Sequence, residues 1–120
     1  MRYLCLVCFD TKAIDSFNPE EWRQIQRDSA DYDAELERSG HMVMAQALQS
    51  IETATTVRLR NGKLSATDGP FAETKEQVAG FILIEAADLN EAIRIAGGIP
   101  LARIGSVEVR PITDFTTGLK

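Results

Sequence analysis

The side chains with the clearest capacity for chemistry are His41 and a group of charged residues between positions 68 and 75. His41 is the single histidine of the chain, and imidazole is the side chain whose ordinary pKa lies closest to neutrality. It follows the predicted end of a helix, where the negative end of the helix dipole favours the charged ring. His41 could therefore carry a proton in catalysis, or it could be a capping histidine with no substrate.

The charged group comprises Asp68, Glu73 and Lys75, which lie in one short stretch. Because this stretch carries more charge than a plain connection needs, we expect a site in which Asp68 or Glu73 orients the ring of His41. Structural interpretations stay open. Asp68 could accept backbone N–H bonds within its own turn, and Glu73 could form a surface ion pair or lock the loop to the sheet or to another subunit.

Cys5 and Cys8 have the C-x-x-C spacing of redox and zinc sites. Their segment is predicted to be a strand, in which residues three apart point to opposite faces. We therefore expect two separate thiols rather than one site. Without a phosphate loop, a nucleotide fingerprint or clustered histidines, the sequence predicts neither a metal nor a cofactor.

Composition limits the class of protein. The 120 residues fit one domain, and 44% hydrophobic with 26% charged residues is typical of a packed globule. The net charge of −5, with scattered basic residues, excludes a nucleic-acid partner and an anionic membrane surface. The longest apolar run, Tyr3–Phe9, is too short to span a membrane, so we expect a cytoplasmic protein.

Two helices are predicted to support these residues. Asn18 and Pro19 begin the first, which Gly40 ends, and Asp88 begins the second, which ends near Gly97. The inward stripe of the first helix comprises Trp22, Ile25, Ser29, Tyr32 and Leu36. That of the second comprises Leu89, Ala92, Ile93 and Ala96.

The remaining segments are predicted to be strands, at residues 2–9, 41–48, 54–60, 63–67, 78–86 and 104–111. Asn61-Gly62 between two of them is typical of a two-residue hairpin turn. The order β-α-β, hairpin, β-α-β predicts an α+β, ferredoxin-like split βαβ fold with an inserted hairpin. The domain should cover residues 1–112, with residues 113–120 forming a loose tail.

The two central strands are apolar on both faces, although two helices can cover only one face of a four-stranded sheet. We therefore expect a second copy of the chain to pack sheet to sheet, giving a homodimer with a barrel-like pair of sheets. A cleft between sheet and helices would then be the place for a small ligand.

The run from Thr67 to Phe81 resembles the signature of the DGPF family within the larger group of YCII-related proteins. The matching residues are Asp68, Gly69, Pro70, Phe71, Glu73, Thr74, Lys75, Glu76 and Gly80. The similarity extends over nearly the whole chain. It implies a dimeric α/β barrel of ferredoxin-like protomers.

The resemblance also implies two kinds of function. Genes of such proteins often lie beside extracytoplasmic-function sigma factors, which implies a regulatory partner. In the wider YCII group, acid–base catalysis is attributed to a histidine in the first helix and an aspartate before a proline. This chain has Ser29 near the first position and Ile99 before Pro100 at the second, so it departs from that pattern.

Two functional hypotheses follow. The first is a small cytoplasmic homodimer that binds a small organic metabolite in the cleft between sheet and helices, with His41, Asp68, Glu73 and Lys75 as its polar groups. Acid–base turnover of that ligand, and so whether the protein is an enzyme, is left open. The second is a non-catalytic regulatory or interaction module that works with a sigma-factor system.

Overall fold

The computed structural model describes residues 1–116, which form a four-stranded sheet, a separate two-stranded sheet and three helices. The strands are β1 (Arg2–Phe9), β2 (Met42–Ala47), β3 (Thr55–Arg60), β4 (Lys63–Asp68), β5 (Gln77–Glu85) and β6 (Ser106–Pro111). The helices are α1 (Thr11–Ile14), α2 (Pro19–Arg38) and α3 (Leu89–Gly97). Short 3-10 turns span Ile51–Thr53 and Pro100–Arg103. No helix among the described residues has the length and apolar character that a membrane crossing requires.

The four-stranded sheet is antiparallel with the order β2-β5-β1-β6. This mixed α+β arrangement is compatible with the predicted ferredoxin-like fold. Within residues 1–116 the sheet does not close into a barrel. The homodimer stays a prediction.

One face of the sheet carries the core. Tyr3, Cys5 and Val7 of β1 are buried there and lie in register with Ile84, Ile82 and Gly80 of β5. Helix residues complete the cluster, namely Leu36, Ala92, Ile95, Ala96 and Ile99 after the end of α3. This face is therefore the one that the helices cover, as the alternation along β1 predicts.

Both ends of α2 follow local sequence signals. Asn18 caps the N-terminus by accepting a 2.8 Å bond from the backbone N–H of Glu21. At the other end Gly40 adopts φ +82°, and the N–H of His41 donates to the carbonyl of Leu36 at 3.0 Å. This is a Schellman ending, and it places His41 immediately before β2.

The buried stripe of α3 differs from the prediction. Leu89 and Ile93 are 49% and 53% exposed, whereas Ile95, which was not predicted to face inward, is 2% exposed. The buried positions Ala92, Ile95, Ala96 and Ile99 follow the i, i+3, i+4, i+7 spacing. The prediction placed the stripe on the wrong side of the helix because it relied on residue type, and Leu89 and Ile93 are apolar. Packing buries the adjacent face instead.

α1 was not predicted at all. Asp10 caps this single turn by accepting from the N–H of Lys12 at 3.0 Å. Four residues give too little periodicity for a sequence pattern to reveal a helix.

The predicted hairpin is present and stands apart from the larger sheet. Asn61 and Gly62 have φ values of +52° and +75°, as the two-residue turn requires. We call the β3–β4 hairpin, Thr55–Asp68, the arm. The radius of gyration is 16.5 Å, whereas a compact chain of this length has a value of about 14 Å. A projecting arm accounts for the extended outline.

The second face of the four-stranded sheet, here called the open face, has no helix on it. Leu4, Leu6, Phe81 and Leu83 form its apolar centre and are half-buried. Residues 113–116 have no regular helix or strand, and residues 117–120 of the predicted tail lie outside the described residues.

Candidate functional site

His41 lies at the junction between α2, β2 and the end of β5. Its Nδ1 is 2.8 Å from the carbonyl oxygen of Glu85, so this nitrogen carries the hydrogen and donates it. The carboxylate of Glu91, in the first turn of α3, lies 3.8 Å from the same nitrogen. The side chain is 25% exposed. His41 therefore ties three elements together, and its Nε2 is the nitrogen left to accept a proton.

The structure does not bring the other predicted site residues to His41. Glu73 and Lys75 precede the first residue of β5, whereas His41 contacts its last residue, and nine strand residues span about 26 Å. Asp68 is the last residue of β4, where it pairs with Thr55 at the base of the arm. Glu73 and Lys75 instead line a groove of about 250 Å³ that also contains Asp10 and Lys12.

The motif loop, residues 69–76, is fastened by hydrogen bonds. Gly69 has φ +104° and its carbonyl accepts from the Thr56 hydroxyl at 2.8 Å. The Thr74 hydroxyl donates to the carbonyl of Glu76, and the Gln77 amide donates to the carbonyl of Thr74. Glu76 also accepts from the Ser106 hydroxyl at 2.5 Å. These bonds attach the loop to β5 and β6, which supports the structural interpretation of this run.

A second groove of about 530 Å³ lies between the motif loop and the segment 48–54. Phe71, on its rim, is 82% exposed. The groove is broad and open to solvent on the side of Phe71, so the described chain alone does not enclose a ligand there.

A further cavity lies beneath α2. We call it the cleft: a cavity of about 220 Å³, open to solvent, with α2 as one wall, the sheet as its floor and the Pro100–Arg103 turn at one end. Its polar lining side chains are Ser29, Tyr32 and Asp33 of α2. Its apolar lining includes Val7, Ala45, Ile82, Ile99 and Leu101. Gln46 and Phe81 also border it, but they pair with each other on the open face, so their side chains point away from it. The helix therefore presents a few polar groups above an apolar floor, the usual composition of a small-molecule site.

Asp33 is the acid of the cleft. Burial raises the pKa of its carboxyl above the ordinary aspartate value, and the negative charge of Glu37 raises it further. The carboxyl is thus held closer to the range in which it can both lose and accept a proton.

Tyr32 and Asp28 fix the wall that carries Asp33. The Tyr32 hydroxyl donates to the carbonyl of Ile95 at 2.6 Å, which joins α2 to α3. Burial is the main reason that the pKa of this phenol is raised, so it stays protonated. Asp28 pairs with Arg103 at 3.2 Å and joins α2 to the turn at the end of the cleft.

Gly80 lies in the floor of the cleft, at a position where no larger residue fits. A Cβ atom at this position would lie 2.8 Å from the backbone oxygen of Gln46 in β2. The close approach of the two strands lets Gln46 border the cleft.

The two cysteines lie on opposite faces of β1. Cys5 is fully buried in the core, and burial raises its pKa to about 11. Cys8 is on the open face, where burial and then the charges of Glu108 and Glu76 raise its pKa. Each thiol is accordingly in its unreactive protonated form.

Sequence reasoning missed Asp33 as a candidate polar group. Ser29 and Tyr32 had been placed on the inward stripe of α2, and Asp33 lies one helical turn after Ser29, so this signal was available. The positions of Ser29 and Ile99, where the resemblance implied a histidine and an aspartate, both line the cleft.

Comparison with known proteins gives a family but no activity. Residues 1–116 match the model of the YCII-related domain. A protein of Rhizobium meliloti (strain 1021), "Uncharacterized protein R00369", is 34% identical over 120 residues, covering 98% of this chain and 97% of that protein.

Proposed function

This chain belongs to the YCII-related family, and from that premise we propose that it is a homodimer that binds a small organic molecule in the cleft and exchanges a proton with it through Asp33. The observation that carries the proposal is the position of Asp33, a half-buried carboxyl group on the wall of a mainly apolar cleft. Its raised pKa supports the same assignment.

The dimensions and charge of the cleft define the class of ligand. Its volume of about 220 Å³ is below the range of about 300–1,000 Å³ that takes drug-sized molecules. Among residues 1–116, no Lys, Arg or His lines the cavity, whereas Asp33 does. We therefore propose a compact ligand that is uncharged or carries an amine, and that donates an N–H or O–H to Asp33.

The other polar groups would orient the ligand rather than react with it. Ser29 offers a hydroxyl one turn from Asp33. The phenol proton of Tyr32 is engaged by Ile95, so Tyr32 can only accept from the ligand. In this proposal Asp33 replaces His41, Asp68, Glu73 and Lys75 as the proton carrier, because none of those four lines the cleft.

The dimer part of the proposal rests on the open face. Its centre is apolar, with Leu4, Leu6, Phe81 and Leu83 in register on the two middle strands. Met44, in register with Leu83, and Val78, in register with Cys8, are 50% and 41% exposed and extend the apolar surface. A second open face of the same shape would remove this surface from water.

The test of ligand binding is ligand-observed NMR with a set of neutral and amine-bearing fragments of up to about twelve non-hydrogen atoms, after native mass spectrometry of freshly purified protein. Ser29→Leu should fill the cleft and abolish the binding of any fragment that the unaltered protein retains. Ala30→Leu is the matched control, because Ala30 is exposed on the same helix. Equal binding by both variants would place the ligand outside the cleft and overturn the proposal.

The proton-transfer part needs its own variant. Asp33→Asn keeps the shape of the side chain but cannot take a proton, so it should weaken amine-bearing fragments most. Asp31→Asn, an exposed acid on the same helix, is the control. If Asp33→Asn leaves binding and its pH dependence unchanged, Asp33 does not exchange a proton with the ligand.

A further inference from the structure

The arm is an amphipathic ribbon whose two faces differ sharply. Strand pairing places Val57 opposite Ala66 and Leu59 opposite Leu64 on one face. The other face carries Arg58 opposite Ser65 and Arg60 opposite Lys63. Period-two alternation along both strands produces this separation of apolar and basic side chains.

Residues 1–116 leave the apolar face of the arm uncovered. Val57 is 60% exposed, Leu59 63% and Leu64 72%. At the base of the arm the Gly69 N–H donates to the Ala54 carbonyl at 2.8 Å, and the Thr56 hydroxyl donates to the Gly69 carbonyl. Because an isolated two-stranded hairpin is marginally stable in water, this ribbon needs a surface on which to lie.

We propose that the apolar face of the arm lies on the body of a second copy of this chain, so that the arms are part of the dimer interface. This inference rests on the proposed homodimer and deepens it, since it names the segment that completes the interface.

The area of the open face supports an additional contact. Four strands about 4.8 Å apart, with about six residues each, give a plane of roughly 400 Å². A standard stable interface needs about 800 Å² from each partner. The open face alone therefore supplies about half of that area.

The arms supply the other half. A two-stranded ribbon of six residues per strand covers roughly 200 Å². In a symmetric dimer each copy contributes both its own arm and the surface under its partner's arm, which gives roughly 400 Å² more. The open face and the arms together reach the area of a stable dimer.

The charges favour a contact between the arm and the body of the partner over a contact between the two arms. Residues 55–67 contain Arg58, Arg60 and Lys63 and no acid, although the whole chain has a net charge of −5. Within residues 1–116 none of the three forms an ion pair with a carboxylate. Two such arms would repel each other, whereas the acidic body of a second copy attracts an arm.

The experiment compares two double variants by analytical ultracentrifugation. Leu59→Ser with Leu64→Ser removes the apolar face and should raise the dimer dissociation constant about 100-fold or more, because each copy loses two large apolar contacts. Ser65→Thr with Thr67→Ser alters the opposite face of the same strand and should leave the constant within about threefold. All four positions are exposed in the single chain, so each variant should retain its fold.

The outcomes separate this inference from the dimer on which it rests. If the unaltered protein stays monomeric at high concentration, the proposed homodimer fails and the inference fails with it. If the protein is a dimer and the leucine variant dissociates no more readily than the control, the dimer stands and the role of the arm is overturned.

A second measurement addresses the arm directly. Amide hydrogen exchange of residues 55–68 should slow when the concentration of the unaltered protein is raised above the dissociation constant. Exchange at one fast rate at every concentration, while β5 remains protected, would contradict the inference.

Discussion

The cleft and the motif loop both combine acidic side chains with apolar neighbours, yet their surroundings differ. The cleft is bounded by α2, three strands and a 3-10 turn, so Asp33 is partly withdrawn from water and its pKa rises. Glu73 and Lys75 of the loop are exposed, and Phe71 beside them is 82% exposed. This difference matters for chemistry, because the displacement of water raises the proton affinity of a carboxyl group.

The loop is the more conspicuous of the two in the sequence. Its run of turn residues and charges is unusual, whereas the polar side chains of the cleft, Ser29, Tyr32 and Asp33, look ordinary in their helix. Many of the hydrogen bonds around the loop serve to attach it to β5 and β6. A distinctive motif can therefore report how a connection is held rather than where a ligand binds.

The largest expected effect is on the free energy of unfolding, and it compares a substitution in the packed side of the sheet with one in the motif loop. Ile84→Ala should lower the free energy of unfolding by about 2–5 kcal/mol, because Ile84 is fully buried and its truncation leaves a cavity. Phe71→Ala should change it by less than about 0.5 kcal/mol in the monomer. Urea denaturation at one low protein concentration measures both. A comparable loss from Phe71→Ala would show that the loop is as well packed as the core.

The next largest effect on stability is expected at Gly80, which lies both in the run that resembles the family signature and in the floor of the cleft. Gly80→Ala should cost about 1–3 kcal/mol, because the new methyl group would press on the backbone of Gln46. Gly97→Ala, where nothing lies within 4 Å, should be neutral or stabilising. Thermal melting of the two variants tests the close approach, and equal melting temperatures would contradict it.

A smaller effect is expected from the bond that holds the wall of the cleft. Tyr32→Phe removes the hydroxyl that donates to Ile95 and should cost about 1 kcal/mol. Chemical denaturation gives the value, and ligand binding in the same variant should weaken if the wall moves. Unchanged stability would mean that the bond between α2 and α3 contributes nothing net.

The smallest expected effect depends on pH. Because the folded-state pKa of Asp33 is raised, its ionised form destabilises the fold, and this penalty appears as pH rises through the raised pKa. Asp33→Asn should therefore stabilise the protein at about pH 7 by less than about 1 kcal/mol. The difference should vanish below the ordinary aspartate pKa, near about pH 3.

Melting curves of Asp33→Asn at the two pH values check this sign. Asp31→Asn on the exposed side of α2 is the control. The same pH-dependent gain in the control would assign the effect to net charge rather than to the cleft.

The sequence predicted those parts of the fold that depend on neighbouring residues. The caps at Asn18 and Asp88, the ending at Gly40 and the Asn61-Gly62 turn each follow from side chains within a few positions. The rotated stripe of α3 shows the limit, because the choice between Ile93 and Ile95 is made by what packs against the helix. Helix α1 was not predicted, because a single turn leaves no periodic pattern.

The candidate site was predictable only in part, for the same reason. The cleft between helices and sheet follows from the fold, and Ser29 and Tyr32 follow from the stripe of α2. The close approach of β2 to β5 at Gly80, which shapes the floor of the cleft, has no local sequence signal. The structure does not group His41 with Asp68 and Glu73, because the length of strand β5 lies between them. Spacing along the sequence does not show that a strand will keep two loops far apart in space.

The order of the strands also has a consequence for the growing chain on the ribosome. β1 occupies the centre of the sheet, yet both of its neighbours, β5 and β6, come from the second half of the sequence. At a synthesis rate of about 5–20 residues per second, the apolar segment that ends at Phe9 waits roughly 4–15 s before Glu85 is made. During that interval β1 has no strand with which to pair, and it is the segment most in need of a chaperone.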